Sequence, residues 1–125
     1  MPRPQTILLV EDDLDLRRLF RTALTFCGFR VIEAGDGLHA LHILDSDPPD
    51  LIILDLDLPI VSGHVVQQEV AAQAHLRSVR IVIVTGTTTG HDGMNVDCLL
   101  RKPVQPDDLI HVVRTCLASP RDSIV

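Results

Sequence analysis

The sequence predicts an α/β domain with a doubly wound, five-stranded parallel sheet, and three observations lead there. Short, β-branched-rich apolar runs alternate with stretches of helical period from one end of the chain to the other, as βαβ crossovers require. Apolar residues make up 46% of the chain and aromatic residues only 2%, so the core must be built from Leu, Val, Ile and Ala, as in a sheet buried between helices. A length of 125 residues suffices for one hydrophobic core and not for two, so a single domain is expected to hold the function, with residues 1–118 as the domain and 119–125 as a C-terminal tail.

The elements follow in order. Thr6 to Val10, Arg30 to Ala34, Leu51 to Leu54 and Ile81 to Val84 are continuous apolar runs of the length expected for strands buried on both faces, and Asp97 to Arg101 is a weaker fifth. After the first strand, Leu16, Leu19, Phe20, Ala23 and Cys27 recur at helical spacing until Gly28 stops them. A second helical stretch carries Leu38, Leu41 and Leu44 and ends at Pro48-Pro49, and a third carries Val66, Val70 and Ala74 after Gly63. The last opens at Pro106-Asp107-Asp108, a proline suited to a first helical position followed by acids that favour a helix N-terminus, and continues through Leu109, Val112, Val113 and Cys116. There are no internal repeats and no low-complexity segment.

Charge and composition exclude several classes. A net charge of −6, with Lys102 the only lysine, argues against direct nucleic-acid binding. No apolar run approaches the roughly 20 residues of a membrane span, and the first residues lack the apolar stretch of a signal peptide, so a cytoplasmic protein without membrane insertion is expected. Cys27, Cys98 and Cys116 are odd in number and show no Cys-x-x-Cys spacing, which points to reduced core thiols. His39, His42, His64, His75, His91 and His111 show no paired ligand spacing and are expected at the surface or its boundary.

In a parallel sheet with helices on both faces, ligands bind outside the carboxyl ends of the strands. There the sequence places Glu11-Asp12-Asp13 after the first strand, Asp55-Leu56-Asp57 after the third, Thr85-Gly86-Thr87 after the fourth and Lys102-Pro103 after the fifth. Carboxylates brought together repel one another unless a cation lies between them, and hard oxygen ligands suit magnesium. Magnesium commonly bridges carboxylates to phosphate oxygens, so the set fits a phosphoryl group: Lys102 neutralises one oxygen, the Thr85 hydroxyl donates to another, and Asp55 is the attacking carboxylate. Taken singly the residues have plainer readings. Asp12 or Asp13 can be the N-cap of the first helix, Thr85 an ordinary strand end, and Lys102-Pro103 an ordinary turn. The signal is that four such sets fall at four strand ends.

These residues carry a resemblance. Ile7-Leu8-Leu9-Val10-Glu11-Asp12-Asp13, Pro49-Asp50-Leu51-Ile52-Ile53-Leu54-Asp55-Leu56-Asp57-Leu58-Pro59 with Ser62-Gly63, Ile83-Val84-Thr85-Gly86, and Leu100-Arg101-Lys102-Pro103-Val104 resemble the receiver domains of two-component response regulators over Thr6 to Leu117. The resemblance implies a flavodoxin-like strand order 2-1-3-4-5. Within it, Glu11, Asp12 and Asp55 are magnesium ligands together with the backbone carbonyl of Asp57, and Asp55 is the phosphorylation site. Thr85 and Lys102 contact the phosphoryl oxygens, and the peptide bond before Pro103 is cis. The donor is a histidine kinase or histidine phosphotransfer protein, and the chain is no enzyme beyond its own phosphorylation and dephosphorylation. The segment ending in Val104, followed by Pro106, resembles receivers attached to hybrid sensor kinases, which leaves open whether the chain stands alone or belongs to a longer protein.

Two departures from the family pattern stand out. Leu99 occupies the position, three before the lysine, where the family has an aromatic switch residue. The stretch from Thr85 to Lys102 is short and rich in Gly and Thr, so the fourth helix is expected to be shortened or missing, replaced by a loop that tightens as Thr85 and Thr87 draw towards a phosphorylated Asp55. Two other functions compete: an aspartyl phosphatase of the haloacid-dehalogenase type, whose nucleophile and acid Asp55-x-Asp57 imitates, and a pseudo-receiver that docks partners without phosphorylation.

Overall fold

In a computed structural model, which describes residues 3–86 and 97–118, the apolar runs form β1 (Thr6–Val10), β2 (Arg30–Ala34), β3 (Leu51–Asp55), β4 (Arg80–Thr85) and β5 (Cys98–Arg101). Every neighbouring pair is parallel and the order is β2-β1-β3-β4-β5, as the resemblance implies. The helices are α1 (Leu14–Phe26), α2 (Gly37–Ser46) and α3 (Gly63–Ala72) between strands, and α4 (Pro106–Ala118) after β5. The expectations for the Gly86 to Asp97 loop, including Thr87 and the fate of a further helix, concern residues 87–96 and lie outside the described residues, as does the tail 119–125.

Strand alternation splits the core into two layers. Leu8, Val10, Ile52, Leu54, Ile81 and Ile83 pack with Ala40, Leu44, Val66 and Val70 of α2 and α3, while Ile7, Leu9, Leu51, Ile53, Val82 and Val84 pack with Phe20 and Leu24 of α1 and Leu109 and Val113 of α4. The central strands of the sheet are therefore covered on both faces.

Local signals set the helix boundaries. Asp13 caps α1, its Oδ1 accepting from the Asp15 and Leu16 amides at 3.0 and 3.1 Å, so its capping reading holds. α1 stops in a Schellman arrangement, with the Gly28 amide donating to Thr25 O and the Phe29 amide to Leu24 O. Gly28 takes a φ of 94° that a side chain would resist. Asp36 and Ser62 cap α2 and α3.

The structure corrects three expectations. Ala74 does not continue the third helix: the backbone of Gln73 is extended, at φ −97° and ψ 126°, and Ala74 opens a 3-10 turn to Leu76. β2 is not buried on both faces, because the strand order makes it a sheet edge, as it does the weaker β5. β3 and β4 run one residue further than their apolar runs, so Asp55 and Thr85 are themselves strand residues, held by the ladder rather than by loops. Among the described residues no helix is long and apolar enough to cross a membrane. Cys27, Cys98 and Cys116 are free thiols, and burial pushes Cys116 up to about 11, which makes it unreactive.

Candidate functional site

The ladder register builds the site. Val10 pairs with Leu54, so the next residues along these adjacent strands, Glu11 and Asp55, emerge side by side at the carboxyl edge. Both are buried, each about 2% exposed. Lys102 follows the last residue of β5, and its amide donates to Thr85 O at 2.8 Å, which ties the β5 turn to the end of β4. From there its side chain crosses to the carboxylates, its Nζ lying 3.0 Å from Glu11 Oε1 and 3.0 Å from Asp55 Oδ2. The other oxygen of Asp55 accepts from the Asp57 amide at 2.9 Å. Glu11 Oε2 accepts from the Asp13 amide at 3.2 Å.

One ammonium shared by two buried carboxylates leaves an excess of negative charge. Burial raises the Glu11 carboxyl from 4.5 to about 7; the hydrogen bonds from Lys102 and the Asp13 amide oppose the rise and the Asp55 charge adds to it. Burial alone would lower the Lys102 pKa, but its hydrogen bonds to Asp55 and Glu11 outweigh that and raise it. The lysine is thus firmly a cation, while Glu11 is poised near neutrality.

Glu11, Asp12 and Asp55 each offer a carboxylate oxygen, all within 4.8 Å of one another. Glu11 and Asp55 form the buried floor and Asp12 the exposed rim. An all-oxygen set of this charge, open on one side, fits a magnesium ion that keeps several waters. The lysine ammonium already resting against two of the three shows that the pocket accepts positive charge. Asp57 is exposed, and its side chain does not join the three. It touches Asp55 through its backbone.

Thr85 is fully buried at the end of β4, on the strand next to Asp55. The Lys102-Pro103 peptide is cis, as the resemblance implies. Leu99 packs against the α2/α3 core layer as a partly buried aliphatic side chain.

The β3–α3 turn depends on glycines. A Cβ on Gly63 would stand 2.3 Å from Asp55 O and 2.6 Å from Leu56 Cα, and one on Gly37 would stand 2.0 Å from Val61 O. Only glycine lets α3 and α2 close onto the backbone that carries Asp55. Between them Ile60, exposed, has a φ of 69°, a left-handed conformation that a β-branched residue adopts at a cost of about 1–3 kcal/mol.

Sequence reading missed Arg17 and Glu33. Arg17 Nη1 donates to Glu11 O at 2.9 Å and its Nε to Glu33 Oε1 at 3.2 Å. The available signal was a charged residue, Glu33, in the interior of the strand that Arg30 opens.

A five-stranded parallel sheet of this order, with carboxylates, a lysine and a threonine at its carboxyl edge, defines a class of signalling receiver folds, and comparison with known proteins agrees. The family model described as "Response regulator receiver domain" matches residues 7–114, and the chain belongs to that family. It is 30% identical over 115 residues to a probable transcriptional regulator, ycf27, of Porphyridium aerugineum, covering 90% of this chain and 48% of that protein. The chain thus spans about half the length of that relative. It is 28% identical to the polar-differentiation response regulator DivK of Brucella anthropi, covering 91% of this chain and 97% of that one. Among solved structures it resembles a putative response regulator from Chloroflexus aurantiacus, with a TM-score of 0.86, 25% identity and coverage of 94% and 100%. It also resembles the receiver domain of a Pseudomonas aeruginosa sensor histidine kinase, which has a magnesium ion coordinated in its active-site cleft, with a TM-score of 0.85, 27% identity and coverage of 94% and 100%.

Proposed function

We propose that this chain is a phosphorelay receiver: Asp55 accepts a phosphoryl group from a phosphohistidine on a histidine kinase or phosphotransfer protein, magnesium assists, and the domain switches conformation to regulate a partner or an attached domain. One observation carries the reading. A buried carboxylate at a strand end has one oxygen on a lysine ammonium at 3.0 Å and two further carboxylates within 4.8 Å.

An Asp55 oxygen attacks phosphorus in line, the phosphorus–nitrogen bond breaks, and the imidazole leaves with the bonding pair and takes up a proton. Lys102 gives up its contact with Asp55 to pair with a phosphoryl oxygen, and the Thr85 hydroxyl donates to another. Glu11, Asp12, Asp55 and the Asp57 carbonyl would hold magnesium, which when bound neutralises charge on the phosphoryl oxygens. Hydrolysis of the acyl phosphate restores the carboxylate, so the chemistry is confined to the protein's own side chain and the chain is not an enzyme acting on outside substrates. A cytoplasmic setting fits the three free thiols.

Incubation with acetyl phosphate and magnesium should give one phosphoryl adduct, stable in acid and labile in base, which peptide mass spectrometry locates on Asp55. An adduct on Ser or His, or one that persists in Asp55→Asn, contradicts the assignment.

A further inference from the structure

The β1–α1 turn, which carries Glu11 and Asp12, is gripped from the side of the sheet edge by one long side chain. The Arg17 guanidinium donates to the Glu11 carbonyl at 2.9 Å, so it fixes the peptide plane joining Glu11 to Asp12. It is itself anchored on β2, where its Nε meets Glu33 Oε1 at 3.2 Å, and Arg21 holds the other oxygen of Glu33 at 3.4 Å. Beneath it lies Gly35, where a Cβ would come within 2.9 Å of Arg17 Nη1. The missing side chain leaves the guanidinium its seat.

We propose that Arg17, anchored by Glu33 and seated over Gly35, is a positioning residue that orients Glu11 and Asp12 for magnesium. The inference rests on the proposed magnesium site and deepens it. Residues that orient metal ligands without touching the metal typically contribute 10–100-fold to affinity. A half-buried Arg–Glu pair with only a structural role would contribute nothing to ion binding.

Charge and position predict opposite signs. Arg17 is a cation beside an acidic pocket, so removing it should, by charge alone, tighten magnesium binding. Positioning predicts weaker binding. Calorimetric titration of the full chain with magnesium chloride decides between them. Arg17→Met should bind roughly tenfold more weakly. Gly35→Ala should act in the same direction with no change of charge, because the new methyl displaces the flexible guanidinium rather than backbone. Arg21→Met, which removes a cation from Glu33 but no contact with Glu11, should leave affinity within about twofold of the wild-type chain. At saturating magnesium the rate of phosphorylation by acetyl phosphate should return to the wild-type value in Arg17→Met, because the residue touches neither donor nor acceptor.

Arg17→Met and Gly35→Ala that bind magnesium as tightly as wild type, or more tightly, overturn the inference and leave the phosphorelay reading intact. Equal losses in Arg17→Met and Arg21→Met also overturn it. A wild-type chain that neither binds magnesium nor takes a phosphoryl group overturns the reading on which it rests. Should one variant fail to fold, the other still decides the sign.

Discussion

Two turns converge on the site, and they are held by different means. The β1–α1 turn is held by side chains: Asp13 caps α1, Glu11 accepts from the Asp13 amide, and Arg17 reaches back to the Glu11 carbonyl. The β3–α3 turn has such tethers too, from the Asp57 amide to Asp55 and at the Ser62 cap, but its close packing depends on missing side chains, with Gly63 and Gly37 admitting backbone where any Cβ would collide. The difference separates two tasks. The carboxylates of Glu11 and Asp12 are set by polar tethers that can be loosened by degrees, whereas Asp55 lies against backbone contact that cannot give.

The largest expected effect breaks the second turn. Gly63→Ala puts a methyl against the Asp55 carbonyl and the Leu56 Cα, both backbone atoms, so the cost should approach the upper end for overpacking, about 3 kcal/mol. Urea unfolding should show it as a lower midpoint, and phosphorylation of Asp55 should fall with it. A substitution without effect would mean that the glycine is incidental.

The next sharpens the first turn through pH. Glu11 is raised from 4.5 to about 7 in the fold, so the folded state holds its proton more tightly than the unfolded chain does. The stability this contributes is full below about 4.5 and is lost as pH rises through about 7. In metal-free buffer the wild-type thermal midpoint should therefore fall over that window relative to Glu11→Gln. Magnesium binding should run the other way, tightening by up to about tenfold per pH unit until Glu11 is ionised. A pH-independent affinity would place Glu11 outside the ion's reach.

Smaller effects follow. Asp13→Ala should cost about 1 kcal/mol, the usual value of an N-cap, well below Gly63→Ala. Asp12→Asn should raise the metal-free thermal midpoint slightly, by about 1–2 °C for a few tenths of a kcal/mol, because it relieves repulsion among three carboxylates, and magnesium should erase the gain. A loss of stability instead would make Asp12 a structural residue.

Much of this was legible in the sequence, for a physical reason. A buried parallel strand is marked by a short apolar run, and in this topology whatever polar residue ends the run stands at the ligand edge, so Glu11, Asp55, Thr85 and Lys102 announce themselves. What was illegible depends on pairings far apart in sequence. Gly37 against Val61 leaves no local trace, and Arg17 against Glu33 leaves only a charged residue inside a strand, with nothing to name its partner. Strand order decides that β2 is an edge, and only an edge strand can carry Glu33 half-exposed. Ala74 fits helical spacing, yet the backbone leaves the helix at Gln73, which no apolar period records. The left-handed Ile60 runs against its own preference and could not have been anticipated.

The central claim is that the carboxyl edge of the sheet is a pocket for magnesium and a phosphoryl group on Asp55. A crystal structure of the chain grown with magnesium and beryllofluoride tests it most directly. The account predicts beryllium bonded to an Asp55 carboxylate oxygen, Lys102 Nζ moved from Asp55 to a fluorine, and a metal ion among Glu11, Asp12, Asp55 and the Asp57 carbonyl. Lys102 still spanning Glu11 and Asp55, with the ion or the adduct bound elsewhere, would contradict it.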